Sequence, residues 1–390
     1  MTSITTRRVA GLALLLLLGA FAVSSMQEDL RPRVEELLSE LHVELTARPE
    51  PREPVGGPGE TGRAWESYWK AADMLKTRPT SLFNGISDDA MAACLAGAVE
   101  RSKESRRLAL SVQVELALIR EGARRRDISP FQSSEHVDLT QTLSVFHTGA
   151  MSNLLGLLGV ADLDAGKQAE GVATLLDAMQ ISQDHSHSPS IINQMVGAAD
   201  VIPDSLLAVL EHEGFGLFMP EALNALDAGL ERLIARAPRR PNFVARLELV
   251  AITALEGPQP GPSMSQNFVS RILRPRPAPE KLFIEAYELA QEFDQVSPYE
   301  AIGLYWATRK PSPRDRRLTD TWLSMFQSMR RAVVRLQMLH HAIRLAQGRE
   351  PAPFADPFEM PLKVTEQADG WLLEVGAVGD ANAISLSFHR

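Results

Sequence analysis

Cysteine and aromatic residues are scarce in this sequence. The 390 residues include one cysteine, Cys94, so no intramolecular disulfide can form and the fold must be stabilised by its core. Aromatic residues make up 6% of the chain and hydrophobic residues 45%, mostly Leu, Ala and Val at helical intervals. This composition favours helix packed on helix. Cys94 lies among small apolar residues, which predicts a buried structural thiol rather than a nucleophile.

Several catalytic motifs are also missing. The chain has no glycine-rich phosphate loop of either the P-loop or the dinucleotide type, no G-x-S-x-G and no H-E-x-x-H. Nucleotide-dependent chemistry therefore has no support, and no cofactor is predicted. Ser67 and Lys70 match S-x-x-K, but the companion elements of penicillin-recognising enzymes are absent. The sequence identifies no catalytic residue.

The formal net charge is −9, and loss of an N-terminal segment carrying Arg7 and Arg8 would bring it to −11. A body of this charge repels nucleic acid and anionic membrane surfaces. Short basic runs occur, but none is interleaved with stacking aromatics. No nucleic-acid partner is predicted.

The N-terminus has the pattern of an export signal. Arg7 and Arg8 precede an uncharged apolar run over residues 9–23, and Ser24 and Ser25 follow it. Fifteen helical residues rise only about 22 Å, short of the roughly 30 Å hydrocarbon core. We expect residues 1–25 to be a cleaved signal peptide and the protein to be periplasmic or secreted. The alternative is an inner-membrane anchor formed by residues 9–26.

Most of the remaining chain has helical periodicity and helix-ending signals. Mainly helical architecture is predicted, with helical hairpins stacked as a solenoid or an irregular bundle. The predicted divisions are an N-terminal helix at 26–47, a Pro/Gly linker at 48–60, a helical hairpin domain at 61–256, a loop or hinge at 257–280, C-terminal helices at 281–349 and a small β module at 350–390.

The stretch LLGLLGVADLDAGKQAEGVATLLDAMQIS resembles a tetratricopeptide hairpin. Leu158-Gly159 falls in its first helix, Gly166 at its turn, and Leu175 where the second helix packs. Asp162 and Gly171 depart from the usual aromatic and alanine, and no second copy follows at a 34-residue period. The resemblance implies one helical hairpin of this type.

Histidines provide the only candidate metal ligands. Asp184-His185-Ser186-His187 is the tightest cluster, and an extended H-x-H could place both imidazoles on one side. The alternative is a polar loop between helices, ended by Ser188-Pro189. His185 and His187 are therefore weak candidates for a metal site.

The C-terminal stretch DPFEMPLKVTEQADGWLLEVGAVGD alternates instead of following helical spacing. With Asp369-Gly370 as a type I′ turn, Ala368 would face Trp371, and Leu362, Val364, Trp371, Leu373, Val375 and Ala377 would share one face. The tail AISLSFHR alternates again. We expect a three-stranded antiparallel sheet whose apolar face is covered by a helix, the long helix ending near Ala346 being the nearest.

This ending resembles that of a group of exported, mainly helical bacterial proteins of uncharacterised function, in which a long helix precedes a D-P-F-x-x-x-P-L segment. It is also similar to the ending of type II secretion pseudopilins, where an acidic loop can hold calcium. Here the corresponding loop, residues 375–382, has one carboxylate, Asp380, which is too few for calcium.

The sequence thus predicts an exported helical protein with a non-catalytic interaction or scaffold role, binding a protein partner in the bacterial envelope. A membrane contact is expected only if the N-terminal apolar segment is retained. The alternative function is a metal-assisted hydrolase that uses His185 and His187.

Overall fold

A computed structural model describes residues 31–46, 51–129, 145–187, 197–198, 201–238, 313–377 and 383–389, with residues 284, 287, 288 and 291. The predicted signal peptide and the 257–280 hinge lie outside these residues. Within them, the predicted mainly helical fold with a small three-stranded antiparallel sheet is confirmed.

Ten α-helices and five strands are present in the described ranges. The helices are α1 (Arg31–Thr46), α2 (Ala64–Leu75), α3 (Thr80–Ala96), α4 (Ala98–Ser111), α5 (Gln113–Arg124), α6 (Val145–Asp164), α7 (Gln168–Ser186), α8 (Asp204–His212), α9 (Pro220–Arg236) and α10 (Pro313–Ala346). The strands are β1 (Glu60–Arg63), β2 (Arg125–Asp127), β3 (Leu362–Glu366), β4 (Gly370–Val375) and β5 (Ile384–His389), and a 3₁₀ turn spans Gly214–Leu217.

Helices α6 and α7 form a tightly packed central hairpin. Gly166, with φ +76°, supplies the left-handed residue in their short connection. A Cβ on Gly171 would lie 2.7 Å from the Gly159 carbonyl oxygen, so the two backbones approach as only glycine allows. Helix α6 also contacts α3, α4 and α8. One helix surrounded by several others is typical of an irregular bundle, and serial stacking and the tetratricopeptide likeness stay predictions.

The Pro/Gly segment predicted as a linker packs against the helices. We refer to residues 51–57 as the strap. Arg52 is 1% exposed, and its backbone N–H donates to the Arg126 carbonyl at 2.9 Å. A Cβ on Gly56 would lie 2.1 Å from Asp177 Oδ1 on α7, so glycine is required there. Beyond the strap, β1 pairs in parallel with β2. The strap is therefore part of the folded body.

The C-terminal sheet has the order β3-β4-β5, and its turn differs from the prediction. Gln367 N–H donates to the Gly370 carbonyl at 2.9 Å, so the loop residues are Ala368 and Asp369. Trp371 consequently pairs with Glu366 rather than with Ala368. Side chains alternate along a strand, so this slip of two residues leaves each one on its predicted face.

Gly370 is needed for contact with β5, not for the turn. Its φ lies outside the left-handed region, and a Cβ there would lie 1.9 Å from the Phe388 carbonyl oxygen. The apolar face of β4 and β5 packs on α10, as predicted, and β5 also contacts α8 and the 3₁₀ turn. The Phe215 ring stacks on the Phe388 ring with centroids 5.9 Å apart.

Candidate functional site

Helix α7 carries an unusual number of buried polar side chains. Every residue from Thr174 to Ser186 on this helix is buried. A helix buried on all sides must pair its polar groups within the fold, because unpaired ones would lose their hydrogen bonds to water. Thr174, Asp177, Gln180 and Asp184 follow one another at intervals of three or four residues, which aligns them along one side of α7. These four side chains form the first candidate site.

Asp184 is the centre of this polar row. Its carboxylate forms an ion pair with the Arg52 guanidinium, and both side chains are 1% exposed. Tyr68 Oη donates to Asp184 Oδ2 at 2.5 Å, and Gln180 Nε2 donates to Asp184 Oδ1 at 3.0 Å. Burial raises the pKa of Tyr68 to about 12, so its hydroxyl stays protonated and remains a donor. The strap, α2 and α7 are thereby joined at one carboxylate.

The Arg52 side chain also caps the C-terminus of helix α5. It donates to the carbonyls of Gly122 and Ala123, both at 2.9 Å, and to the Arg125 carbonyl at 3.0 Å. Carbonyls at a helix C-terminus lack partners within the helix and carry partial negative charge. One guanidinium therefore neutralises the Asp184 carboxylate and caps helix α5. Its hydrogen-bond donors thus have structural roles.

Asp177, about two turns earlier on α7, faces two more arginines. Arg120 Nε and Arg124 Nη2 lie 3.2 and 3.1 Å from Asp177 Oδ2. Burial raises the pKa of this carboxyl, while Arg124 and Arg120 oppose that rise. Because both guanidinium groups are about one-third exposed, they connect the buried row to the protein surface.

His185 and His187 do not form the extended pair that a metal site would need. Helix α7 continues to Ser186, so Asp184, His185 and Ser186 lie in the helix and not in the predicted polar loop. Residues two apart on a helix point about 200° apart. His185 is 0% exposed and its Nδ1–H donates to the Ile181 carbonyl at 2.8 Å. His187 is exposed and its Nε2–H donates to the Arg236 carbonyl at 2.9 Å.

The His185 ring packs between aromatic side chains beside the Asp184 network. Its centroid lies 5.3 Å from that of Trp65 and 5.5 Å from that of Tyr68. Its Nε2 has no hydrogen-bond partner among the described residues. Burial lowers the pKa of His185 from 6.5 to about 4. This imidazole is therefore neutral at pH 7.

We expect His185 to make the fold less stable in acid. Below pH 6.5 the unfolded chain binds a proton at this position that the folded chain does not, so stability falls between pH 6.5 and 4, by about 3 kcal/mol in total. Replacing His185→Phe removes this titration. Urea denaturation at pH 7, 5.5 and 4 should show a shallower loss of stability in the variant. Equal pH dependence in both proteins would contradict the assignment.

Three further residues that the sequence singles out are Cys94, Ser67 and Lys70. Cys94 is buried, as predicted, and burial raises the pKa of its thiol to about 12. Ser67 is buried and Lys70 is exposed, so the S-x-x-K pair does not share one environment. The described residues contain no group of three or more His, Cys, Asp or Glu that could hold a metal ion.

A small cavity lies at the C-terminal end of α7. Gln183, Ser186, Ala198, Met329 and Leu336 are among its lining residues, and its volume is about 10 Å³. That is room for about one water molecule.

The outer surface of α4 presents a different kind of feature, which sequence periodicity did not distinguish from core packing. Val99 is 86% exposed and Leu110 is 71% exposed. Leu95 and Val114, which flank this helix in the chain, are 52% and 56% exposed. Gly97 joins α3 to α4 with φ +96°, and the alanines on either side of it are exposed. Four large apolar side chains within residues 95–114 are thus exposed, which makes this flank the candidate interaction surface.

No family model, curated protein or solved structure matches this chain. Within the ranges that the structure describes, no helix is long and apolar enough to cross a membrane. The functional assignment therefore depends on the two features above, the paired polar row of α7 and the exposed flank of α4.

Proposed function

We propose that this protein is a non-catalytic interaction protein of the bacterial envelope, and that it binds a protein partner through the outer flank of α4. The observation that carries the proposal is the exposure of Val99 and Leu110 on one helix. Burial of large apolar side chains is the main favourable term in protein association, so two of them in water provide a binding surface.

The polar row of α7 supports a structural role for the interior. The Arg52, Asp184 and Tyr68 side chains are buried, and the Asp184 carboxylate contacts the other two. A catalytic group must reach its substrate within hydrogen-bond distance. These side chains instead hold the strap and two helices together, which is what a rigid binding scaffold needs.

Export is part of the proposal. Arg7, Arg8 and the apolar run that follows them support it, together with the resemblance of the C-terminal segment to exported helical proteins. We expect fractionation to find the chain outside the cytoplasm, and N-terminal sequencing of the mature form to begin near Met26. A chain that keeps residues 9–26 and sediments with membranes would support the anchored alternative.

Capture from envelope extracts tests the binding surface. The tagged protein is compared with the double variant Val99→Ser, Leu110→Ser and with the control Met219→Ser, which removes another exposed apolar side chain, 53% exposed. We expect a partner that the parent and the control both retain and that the double variant loses. The free energies of unfolding of all three proteins should agree within about 0.5 kcal/mol, since the altered side chains are on the surface.

The proposal fails if the double variant retains every protein that the parent captures. The hydrolase alternative stays a prediction. Its two histidines donate to separate backbone carbonyls, and one of them is fully buried, so that function would require the end of α7 to rearrange.

A further inference from the structure

The outer surface of α4 carries a regular row of four side chains. Val99, Lys103, Arg106 and Leu110 are all exposed and follow the spacing i, i+4, i+7, i+11. At 100° per residue they fall within about 60° of one another around the helix. We call them the α4 row. The buried residues of the helix, Arg101, Ser105 and Leu108, lie on the opposite side.

Arg101 fixes the inner side of α4 and so orients the row outward. Its guanidinium donates to Asp164 at 2.6 and 3.0 Å and to Glu213 at 2.6 and 2.9 Å. It also donates to the Cys94 carbonyl at 2.9 Å. A bidentate arginine has a defined geometry on each carboxylate. The α4 row is therefore presented on a fixed helix.

The two central side chains of the row are cationic on a protein of net charge −9. Lys103 is 67% exposed, and among the described residues it pairs only with neighbours on its own helix, Glu100 at 2.8 Å and Glu104 at 3.9 Å. Exposed pairs of this kind contribute little to stability and are readily exchanged. Arg106 has no ion pair among the described residues. A partner carboxylate would find both cations accessible.

The ends of the row set the dimensions of what could bind. Val99 and Leu110 are eleven residues apart, about 16 Å along the helix axis. A partner helix that packs along α4 repeats its own side chains with the same rise, so its apolar residues could meet both ends and its acidic residues the middle. Opposite charges in the middle would also fix the register of the two helices.

From these observations we infer that the α4 row binds an acidic amphipathic helix of a protein partner, with apolar residues about three turns apart and carboxylates between them. This inference rests on the proposed function and specifies its partner. An anionic lipid surface is the other acidic ligand with an apolar interior, but the negatively charged body of this protein disfavours approach to it.

Site-specific photo-crosslinking in envelope fractions tests this inference. The photo-reactive amino acid replaces Ala98, an exposed residue beside the row, so that the row itself is intact. Four proteins that carry this photo-reactive residue are compared. They are the parent, the charge-reversed variant Lys103→Glu with Arg106→Glu, the apolar variant Val99→Ser with Leu110→Ser, and the control Arg331→Glu. Arg331 is an exposed arginine on α10. Mass spectrometry identifies the crosslinked segment.

We expect the parent and the control to crosslink to a segment with acidic amphipathic helical spacing. The charge-reversed variant should lose about tenfold in yield at low salt. Parent yield should fall as salt is raised, because screening weakens exposed charge pairs. The apolar variant should lose the crosslink as well.

Other outcomes separate the inference from the proposed function. Retention in the charge-reversed variant with loss in the apolar one, or a crosslinked segment that is basic or uncharged, overturns the acidic helix and leaves a protein-binding surface. A lipid adduct alone overturns the inference in favour of a membrane surface. Absence of any adduct in all four proteins overturns both.

Discussion

Replacing Arg52→Met is expected to lower the free energy of unfolding by about 3 to 5 kcal/mol. The substitution leaves the Asp184 carboxylate, 1% exposed, without its cation. It also removes the donors that reach the carbonyls of Gly122, Ala123 and Arg125 at the end of α5. Breaking one side of a buried ion pair is costly because the remaining charge is neither paired nor hydrated.

Urea denaturation measures this effect, and a matched control separates burial from charge. Arg232 also contacts the strap, donating to the Pro54 and Val55 carbonyls at 3.3 and 3.4 Å, but it is more exposed. Arg232→Met should cost about 1 kcal/mol or less. A loss below about 1 kcal/mol for Arg52→Met would contradict a buried, paired Arg52.

A double-mutant cycle tests the pairing itself. Asp184→Leu alone leaves the Arg52 guanidinium buried without its carboxylate, and should also be strongly destabilising. The double variant should be destabilised by less than the two single effects combined, because neither charge then remains unpaired. Strict additivity would mean that the two side chains do not interact.

The second large effect is expected at the C-terminal module, where Arg330→Met should also cost about 3 to 5 kcal/mol. Arg330 Nε and Nη2 lie 2.9 and 2.8 Å from the Asp356 carboxylate, and Nη2 donates to the Gly376 carbonyl at 2.8 Å. Asp356 is 0% exposed at its side chain and also accepts from the Phe358 and Met360 N–H groups. One arginine on α10 thus holds both ends of the segment that contains β3 and β4.

The control for this prediction is Lys363→Met. It breaks a pair of 3.1 Å between Lys363 and Glu374, whose side chains are 73% and 38% exposed, and should cost less than about 1 kcal/mol. Near-ultraviolet circular dichroism reports the packing of all five tryptophans, and the part due to Trp371, which is buried on β4, is the difference between each protein and its Trp371→Phe counterpart. A Trp371 signal as intact in Arg330→Met as in Lys363→Met would show that this ion pair does not organise the module.

Periodicity predicted the helices and the faces of the sheet because both depend on local spacing. The turn is formed by Ala368 and Asp369, one residue earlier than predicted. An Asp-Gly pair strongly favours a turn, but here Gly370 is required by its close approach to the Phe388 carbonyl. That contact joins Gly370, beside the turn, to Phe388, which lies on another strand. Such a contact is not encoded in the alternation, yet the alternation still fixed which side chains face the helices.

The strap and the polar row were the harder features. Prolines and glycines at 48–60 indicate a chain without regular structure, but they do not reveal that Arg52 reaches the interior. In the sequence Asp184 stands out only as a neighbour of the two histidines. Its partners, Arg52 and Tyr68, are 132 and 116 residues away. Only the tertiary fold brings them together.

The α4 row was not recognised for a related reason. Val99 and Leu110 have the spacing of core residues, and in sequence nothing distinguishes an apolar side chain that faces water from one that faces a helix. The pairing of Arg101 with Asp164 and Glu213 decides which side of α4 is buried. The exposed row follows from that pairing.

The central claim is that the interior charges hold the fold while the outer flank of α4 binds a protein. The most direct test is partner retention by Val99→Ser, Leu110→Ser, measured beside its unfolding free energy. The account predicts that the captured partner is lost while stability stays within about 0.5 kcal/mol of the parent. Full retention of the partner at unchanged stability would contradict it.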